Sequence, residues 1–433
     1  MKNPLFRYYL VLPLATLLAQ WATPAEGTEL ADLSHYLERV RQHDPAIAEA
    51  RLRWKAVEAR VPATGVLPDP ELALGHFFAP IETRVGPQRQ KLGLFQKIPW
   101  PERLKTERSL AEDEVTVAYY AYMDTLRRRI AEAKAAWIHL ASIEQQRSIL
   151  DRQRTLLEEA LSTQDSRFTS GRGDLADRLL IRNRLTELES RQLALAGDQQ
   201  AAEAEVRHFA GGTTGAISTS WDRLQAHPLP GRAALTEALL ADNDLLKSLA
   251  SQVERAKSSR DLAGLSRYPD VTLGFEYSRV SDNRFANPSD DGTDAFMGSI
   301  RISLPIWKSK YDALERSATH ALSAKRKAQQ SLRDDLIEAV HRRYAEAEAR
   351  QRQIRLYEDR LLPQTREAYE ATLSGFGSGQ SDALHWIEAQ RDLLDAEMGL
   401  VHLRTENLRL MNRLERLAAV ELVGEQAAAN NNQ

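Results

Sequence analysis

The side chains of this chain best suited to bind a metal or move a proton are its ten histidines. None belongs to a His-Glu-x-x-His pair. His139, His208, His341 and His402 stand singly on helical stretches, where a packed or surface imidazole is the plain reading. The five methionines do not cluster, so no soft-metal relay is visible. Ser170 and Ser378 lack the strand-to-helix elbow of a nucleophilic serine. The glycines near 171 and 375 follow helical stretches instead of strands, and read as helix ends rather than a phosphate cradle. Basic runs such as Arg127-Arg128-Arg129 and Lys325-Arg326-Lys327 alternate with nearby acids and read as solvated helix faces. Cysteine is absent, which removes disulfides, thiolate metal sites, a nucleophilic thiol and a lipid-bearing cysteine. No catalytic group, metal or cofactor is expected.

Composition narrows the class. The 433 residues are 42% hydrophobic and 27% charged, with 21 glycines and 17 prolines. That is too apolar for a disordered chain and too poor in Gly and Pro for one made mostly of turns. A mean hydropathy of −0.47 excludes a bundle of transmembrane helices. A formal net charge of −3 advertises no surface for nucleic acid. Residues 1–27 read as an export signal: Lys2 and Arg7 precede the apolar run Leu10 to Ala19, too short to span a bilayer. Ala25-Glu26-Gly27 is the better cleavage match and Gln20-Trp21-Ala22 the other; an amphipathic N-terminal anchor is the alternative. No later apolar run approaches the roughly 18 residues of a membrane-spanning helix. The chain is therefore expected to leave the cytoplasm, and a lack of cysteine suits an oxidising compartment.

The sequence repeats once. Pro70-Glu71-Leu72-Ala73-Leu74-Gly75 aligns with Pro269-Asp270-Val271-Thr272-Leu273-Gly274 at an offset of 199, which Asp44 and Asn243 share. Trp100 pairs with Trp307 at 207, and Phe168, Gly171 and Asp174 pair with Phe376, Gly379 and Asp382 at 208. Leu185 and Glu189 pair with Leu393 and Glu397 at the same 208. The added residues fall in the polar loop Asp282 to Asp294. These blocks divide the chain into a first repeat over 28–210, a turn-rich linker over 211–231, a second repeat over 232–420 and a disordered tail over 421–433.

Each repeat reads as helix, hairpin, very long helix, helix. Glu102 to Phe168 contains no Gly or Pro, enough for a helix about 100 Å long. Leu126, Ile130, Ala133, Trp137, Leu140 and Ile143 form a mostly heptad seam, so this helix packs alongside others. Lys308 to Ser374 repeats it, interrupted by Pro363 and ending at Gly375, Gly377 and Gly379. Asp174 and Asp382 then cap the return helices. Val271, Leu273, Phe275 and Tyr277 alternate with polar residues, as do Phe296, Ile300, Ile302 and Leu304; rougher strands cover 71–78 and 91–98. Their length suits a tilted transmembrane strand, although a soluble sandwich strand would look similar. Four strands cannot close a barrel, which takes about eight. Open edges in lipid would leave backbone groups unpaired, so the chain must share a barrel, or its strands are not in a membrane. Trp100 and Trp307, beside Pro99 and Pro305, mark strand-to-helix junctions. They read either as membrane-interface aromatics or as buried junction residues.

The pattern resembles the TolC-type outer-membrane efflux duct family over about 30–420. The most specific part is Leu361-Leu362-Pro363-Gln364 with Ala368-Tyr369, then Phe376-Gly377-Ser378-Gly379, Asp382-Ala383-Leu384 and Ala389-Gln390-Arg391-Asp392-Leu393-Leu394-Asp395-Ala396-Glu397. Leu67-Pro68-Asp69-Pro70-Glu71-Leu72 and Ile98-Pro99-Trp100-Pro101-Glu102-Arg103 resemble members that work with heavy-metal or multidrug pumps. The resemblance implies a mainly α chain with a small β part. As a homotrimer it would pool four strands per chain into a twelve-stranded barrel in outer-membrane lipid, above a long periplasmic α-barrel. It further implies a periplasmic adaptor and an inner-membrane resistance-nodulation-division pump as partners, and passive export of metal ions or small toxic compounds. Family members often ring the entrance with acids, and the two positions fall here on His385 and Glu388. Asp382, Asp174 and Asp177 lie nearby. Helix capping is the plainer reading of Asp174 and Asp382. Arg178, Arg182 and Arg184 are candidates to pair with these acids across helices.

Two rivals belong to other classes. A soluble periplasmic coiled-coil adaptor or scaffold would fold its strands into a small separate domain. A secreted hydrolase would need a convergent catalytic pocket.

Overall fold

The computed structural model describes residues 30, 32–170, 173–212, 215–282, 289, 292–378 and 380–426. The expected export signal over 1–27, Gly171, Gly379, Thr213, Thr214, most of the loop from Asp282 to Asp294 and 427–433 lie outside them. Of the tail expected to be disordered over 421–433, Val423–Glu425 instead form a strand, and Leu422 and Val423 are buried.

Short acidic caps start the chain's helices. Asp32 accepts from the His35 N–H at 2.7 Å and opens α1 (Leu33–His43). Asp44 caps α2 (Pro45–Arg60), accepting from Ala46 and Ile47 at 2.8 and 3.1 Å, with Pro45 in the first turn where its missing N–H costs nothing. Antiparallel strands β1 (Glu71–Ile81) and β2 (Gln88–Ile98) follow, then the 69-residue α3 (Pro101–Thr169) and the returning α4 (Leu175–Phe209). After β3 (Leu224–Ala226) the order recurs as α5 (Arg232–Asp242), α6 (Asp244–Leu265), β4 (Val271–Val280) and β5 (Ala295–Ile302). Asn243 stands where Asp44 stood. It accepts from Leu246 N–H at 3.1 Å and donates to the Leu417 carbonyl at 3.0 Å.

The second long helix differs from the first. α7 (Lys308–Leu356) passes through one π-helical turn, Tyr357–Leu361, into α8 (Leu362–Ser378). Pro363 therefore does not stop the helix: the wider turn before it takes up the carbonyl that its ring would strike. Gly375 and Gly377 do not end it either. Phe376 is buried and stacks on Trp386 at 5.1 Å, and Arg167 donates to the Phe376 carbonyl at 3.2 Å, so packing holds both glycines helical. Gln380 and Ser381 then donate to the Gly375 carbonyl at 2.9 and 3.1 Å, and α9 (Ala383–Ala418) returns to the short β6 (Val423–Glu425).

The four longer strands form one antiparallel sheet in the order β1-β2-β4-β5, so the two hairpins join through β2 and β4. Register puts Leu74, Leu92, Tyr277 and Phe296 in one row, and Leu94 beside Phe275, all on a single face. That face is bare: Leu74 is 78% exposed, Ile300 69% and Phe78 95%. The opposite face carries Lys91 bonded to Glu276 at 3.0 Å, and Arg301 over the Phe95 ring at 4.2 Å. Phe95 lies flat across Gly93 and Gly274. A methyl on Gly274 would sit 2.7 Å from the ring, so glycine is required there.

Halfway along the helices lies a small lobe. β3 and β6 pair antiparallel, and Tyr36 stacks on Trp137 at 5.0 Å. The expected seam is buried against it: Ala133, Trp137 and Leu140 are 0% exposed, with Leu126 and Ile130 packed alongside. Lys134, almost fully buried, donates to Glu415 at 2.5 Å and to the Val423 carbonyl at 2.9 Å. The second Glu415 oxygen accepts the N–H groups of Leu422 and Val423. Removing one partner of a buried pair leaves a charge without compensation. Lys134→Ala is expected to cost about 3–5 kcal/mol, read as a lower thermal unfolding midpoint; an unchanged midpoint would show that the lobe does not depend on this pair.

Candidate functional site

Two ends of the chain carry the residues singled out by sequence. At one end, α3 and α7 leave the sheet. Trp100 stands at the N-cap position of α3, where it stacks on Tyr268 at 4.9 Å and is 38% exposed. Trp307 holds the same place before α7 and is 69% exposed. Trp100 is thus partly covered at its junction, whereas Trp307 is an open surface aromatic. Beneath Trp100, Arg103 donates to Asp270 at 2.8 Å and Lys97 pairs with the same carboxylate at 3.0 Å, tying α3 to the start of β4.

The other end is the pair of helical tips. Asp174 accepts from Ala176 N–H at 2.9 Å, and Asp382 from His385 N–H at 3.2 Å, so both cap their helices. Asp177 does something the sequence did not announce. It accepts the Ala383 N–H at 3.3 Å, joining the first tip to the N-terminus of α9. His385 Nδ1 lies 2.5 Å from Asp382 Oδ1, on an open surface. Glu388 is exposed and has no ion-pair partner among the described residues. The tips therefore bring together Asp177 with Ala383 and Asp382 with His385; Asp174 and Glu388 stand apart.

The arginines pair elsewhere than expected. Arg178 and Arg182 both face Asp165 of α3, and Arg184 bonds Glu187 at 2.7 Å and Gln390 at 3.1 Å. Gln390 is completely buried and passes the contact to Gln153 at 3.0 Å. Arg184 Nη2 keeps no hydrogen-bond partner among the described residues, and none of these bonds reaches a tip acid. Arg184 was singled out by sequence, but its partner Gln390 is recognisable only in hindsight, as a polar residue interrupting an apolar helix stripe. Among the described residues no group of three His, Asp or Glu side chains could hold a metal, and no helix is long and apolar enough to cross a membrane.

This geometry has known counterparts. Residues 235–420 match the model of the outer membrane efflux protein family. The fold is similar to that of VceC, an outer membrane protein of Vibrio cholerae, at 17% identity and a TM-score of 0.72, covering 89% of this chain and 96% of that one. It is similar to the CmeC outer membrane channel of Campylobacter jejuni at 12% identity and 0.71, covering 99% and 95%. The MtrE outer membrane channel of Neisseria gonorrhoeae, in its open state, gives 15% and 0.73, covering 90% and 89%. At such identities the likeness fixes the fold, a mainly helical chain with a small sheet. No curated protein matches the chain in sequence. The family matched is one of efflux proteins and the structures are of channels.

The His385–Asp382 contact has a pH signature. Its hydrogen bond to Asp382 raises His385 above the ordinary 6.5, and the same bond lowers Asp382 below 3.8. The histidine contribution is complete below 6.5 and fades as pH rises through the raised value. The aspartate contribution is complete above 3.8 and fades as pH falls through the lowered one. The pair is therefore strongest between those limits. A histidine-selective NMR titration should place His385 above 6.5 and return it to 6.5 in Asp382→Asn; a wild-type midpoint at 6.5 would remove the contact.

Proposed function

We propose that this chain is the outer-membrane exit duct of a tripartite efflux system, assembled as a homotrimer. The observation that carries the reading is the sheet. It has one exposed apolar face and two free edges, β1 and β5, which in hydrocarbon must find partners. Two further copies supply them: β5 of each chain meets β1 of the next, giving a twelve-stranded barrel with the Lys91–Glu276 face towards its bore. The long helices then extend into the periplasm as a second, helical barrel, and Trp100 and Trp307 sit at the membrane interface. The reading also assigns 1–27 as export signal and 28–210 and 232–420 as the two efflux repeats.

At the far end the tips meet a periplasmic adaptor and an energised resistance-nodulation-division pump. Leu175, Leu179 and Leu384 are 50%, 49% and 45% exposed there, an apolar surface that suits docking. Asp174, Asp177, Asp382, His385 and Glu388 lie at the entrance. The cargo is metal ions or small toxic compounds, moved without chemistry by the duct itself.

The chain has no cysteine, so crosslinking starts from a silent background. Combining His76→Cys on β1 with Phe296→Cys, Gly298→Cys or Ile300→Cys on β5 places thiols on the two edges that the assembly joins. Oxidation of detergent-extracted protein should give, for at least one combination, a denaturing-gel ladder ending at three chains. Only monomers from every combination, with the protein extractable in plain buffer, would favour a soluble adaptor and overturn the reading.

A further inference from the structure

A groove of about 380 Å³ runs between α3 and α9 at the level of the lobe. Four arginines line it, Arg128, Arg409, Arg413 and Arg416, against two glutamates, Glu132 and Glu205. Arg128 bonds Glu132 at 3.2 Å on its own helix, Arg409 bonds Glu406 at 3.0 Å, and Arg416 reaches Asp124 at 3.5 Å. Among the described residues no carboxylate pairs with Arg413. The walls are fixed, because buried Asn412 donates to the Ala131 carbonyl at 2.8 Å and so ties α9 to α3.

Neighbouring groups feel these arginines as well as their own burial. Burial and then the field of Arg409 lower His139. Burial and then Arg342 and Arg413 lower Arg343. Three of the four groove arginines are paired with carboxylates, and Arg413 is left to act on what enters; a cleft with low-dielectric walls focuses such a field. Guanidinium groups are well shaped for carboxylate and phosphate oxygens.

The groove also has a side. On α3, Lys134, Trp137 and Ala141 are buried beneath the lobe. At 100° per residue, Arg128, Glu132, Ala135 and His139 fall on the opposite face. Three lobes turned inward would fill the bore of the proposed trimer, so the lobe faces out and the groove faces in.

We propose that this groove is a binding station for anionic cargo on the inner wall of the duct, an inference that rests on the duct reading above and narrows its cargo to compounds bearing carboxylate, phosphate or similar groups. A cation with no anionic partner would be disfavoured at this level.

The test uses the full-length protein in planar bilayers with inorganic tripolyphosphate as probe. Tripolyphosphate should block the wild-type current in a voltage-dependent way. Arg413→Gln alone should weaken the block several-fold, and Arg409→Gln with Arg413→Gln at least tenfold, moving the reversal potential in a KCl gradient towards cation preference. Arg404→Gln, on the lobe side and paired with Glu358 at 2.5 Å, should leave both unchanged. A wild-type pore indifferent to tripolyphosphate overturns the inference without any variant. So does a block that survives the arginine changes, or one that Arg404→Gln abolishes equally. If the arginine variants fall to monomers while the residual pores keep their selectivity, the groove holds a neighbouring copy's carboxylate and the inference also fails. No pore from wild type at all would instead remove the duct reading.

Discussion

The outer edges of β1 and β5 carry backbone N–H and C=O groups with no partner in this sheet, while Leu74, Phe78, Phe275 and Ile300 crowd one face. A sheet so built is unfinished: water punishes its face and hydrocarbon its edges, each unpaired group costing several kcal/mol. The rest of the architecture follows from finishing it. Each hairpin must end where its chain can turn away, and Pro99-Trp100-Pro101 and Pro305-Ile306-Trp307 make that turn, since a proline ends a strand ladder and is tolerated in the first helical turn. The helices that leave are amphipathic only in combination with neighbours, so they run as packed pairs: α3 with α4 and α6, α7 with α6 and α9.

Two repeats could slide past one another along such helices. Polar contacts at three heights prevent it. Arg103 holds Asp270 at the sheet, Lys134 holds Glu415 at the lobe, and Asp177 meets Ala383 N–H while Arg167 meets the Phe376 carbonyl at the tips. Each joins the first repeat to the second, and each uses a charge on backbone or carboxylate, the bonds least forgiving of a shift in register. Further contacts between these heights act the same way: Arg127 pairs with Asp244 at 2.5 Å, Arg255 with Glu114 at 2.7 Å, and Arg184 with Gln390 at 3.1 Å.

Much of this was legible in the residues. The strands announced themselves by alternation, the long helices by the lack of glycine and proline, and Asp44, Asn243, Asp174 and Asp382 by standing before helical stretches where a side-chain oxygen is needed. What stayed hidden depends on distance along the chain. β3 and β6 are three residues each and pair across almost the whole second repeat, so neither carries a pattern of its own. Asp177 looks like any solvated acid until α9 arrives beside it. Arg178, Arg182 and Arg184 face Asp165, Glu187 and Gln390 because helix phase, not proximity to a tip, sets which way they point. Gly375 and Gly377 looked like stops, and tertiary packing around Phe376 overrode them.

The π-helical turn at Tyr357–Leu361 settles a discrepancy of a single amino acid. Trp307 trails Trp100 by 207 positions, yet Phe376 trails Phe168 by 208, so one of two otherwise parallel rods is longer by a residue. In an unbroken α-helix that surplus would turn every side chain beyond it by about 100° and lift it 1.5 Å. A turn closed by i→i+5 bonds accommodates the surplus on the spot, where Tyr357 lies so close to Gly399 that a methyl there would be 2.8 Å from its ring. The duplicated halves thereby stay in phase at both extremities although their lengths have drifted apart, and Gly399 records on the opposite helix where the drift was absorbed.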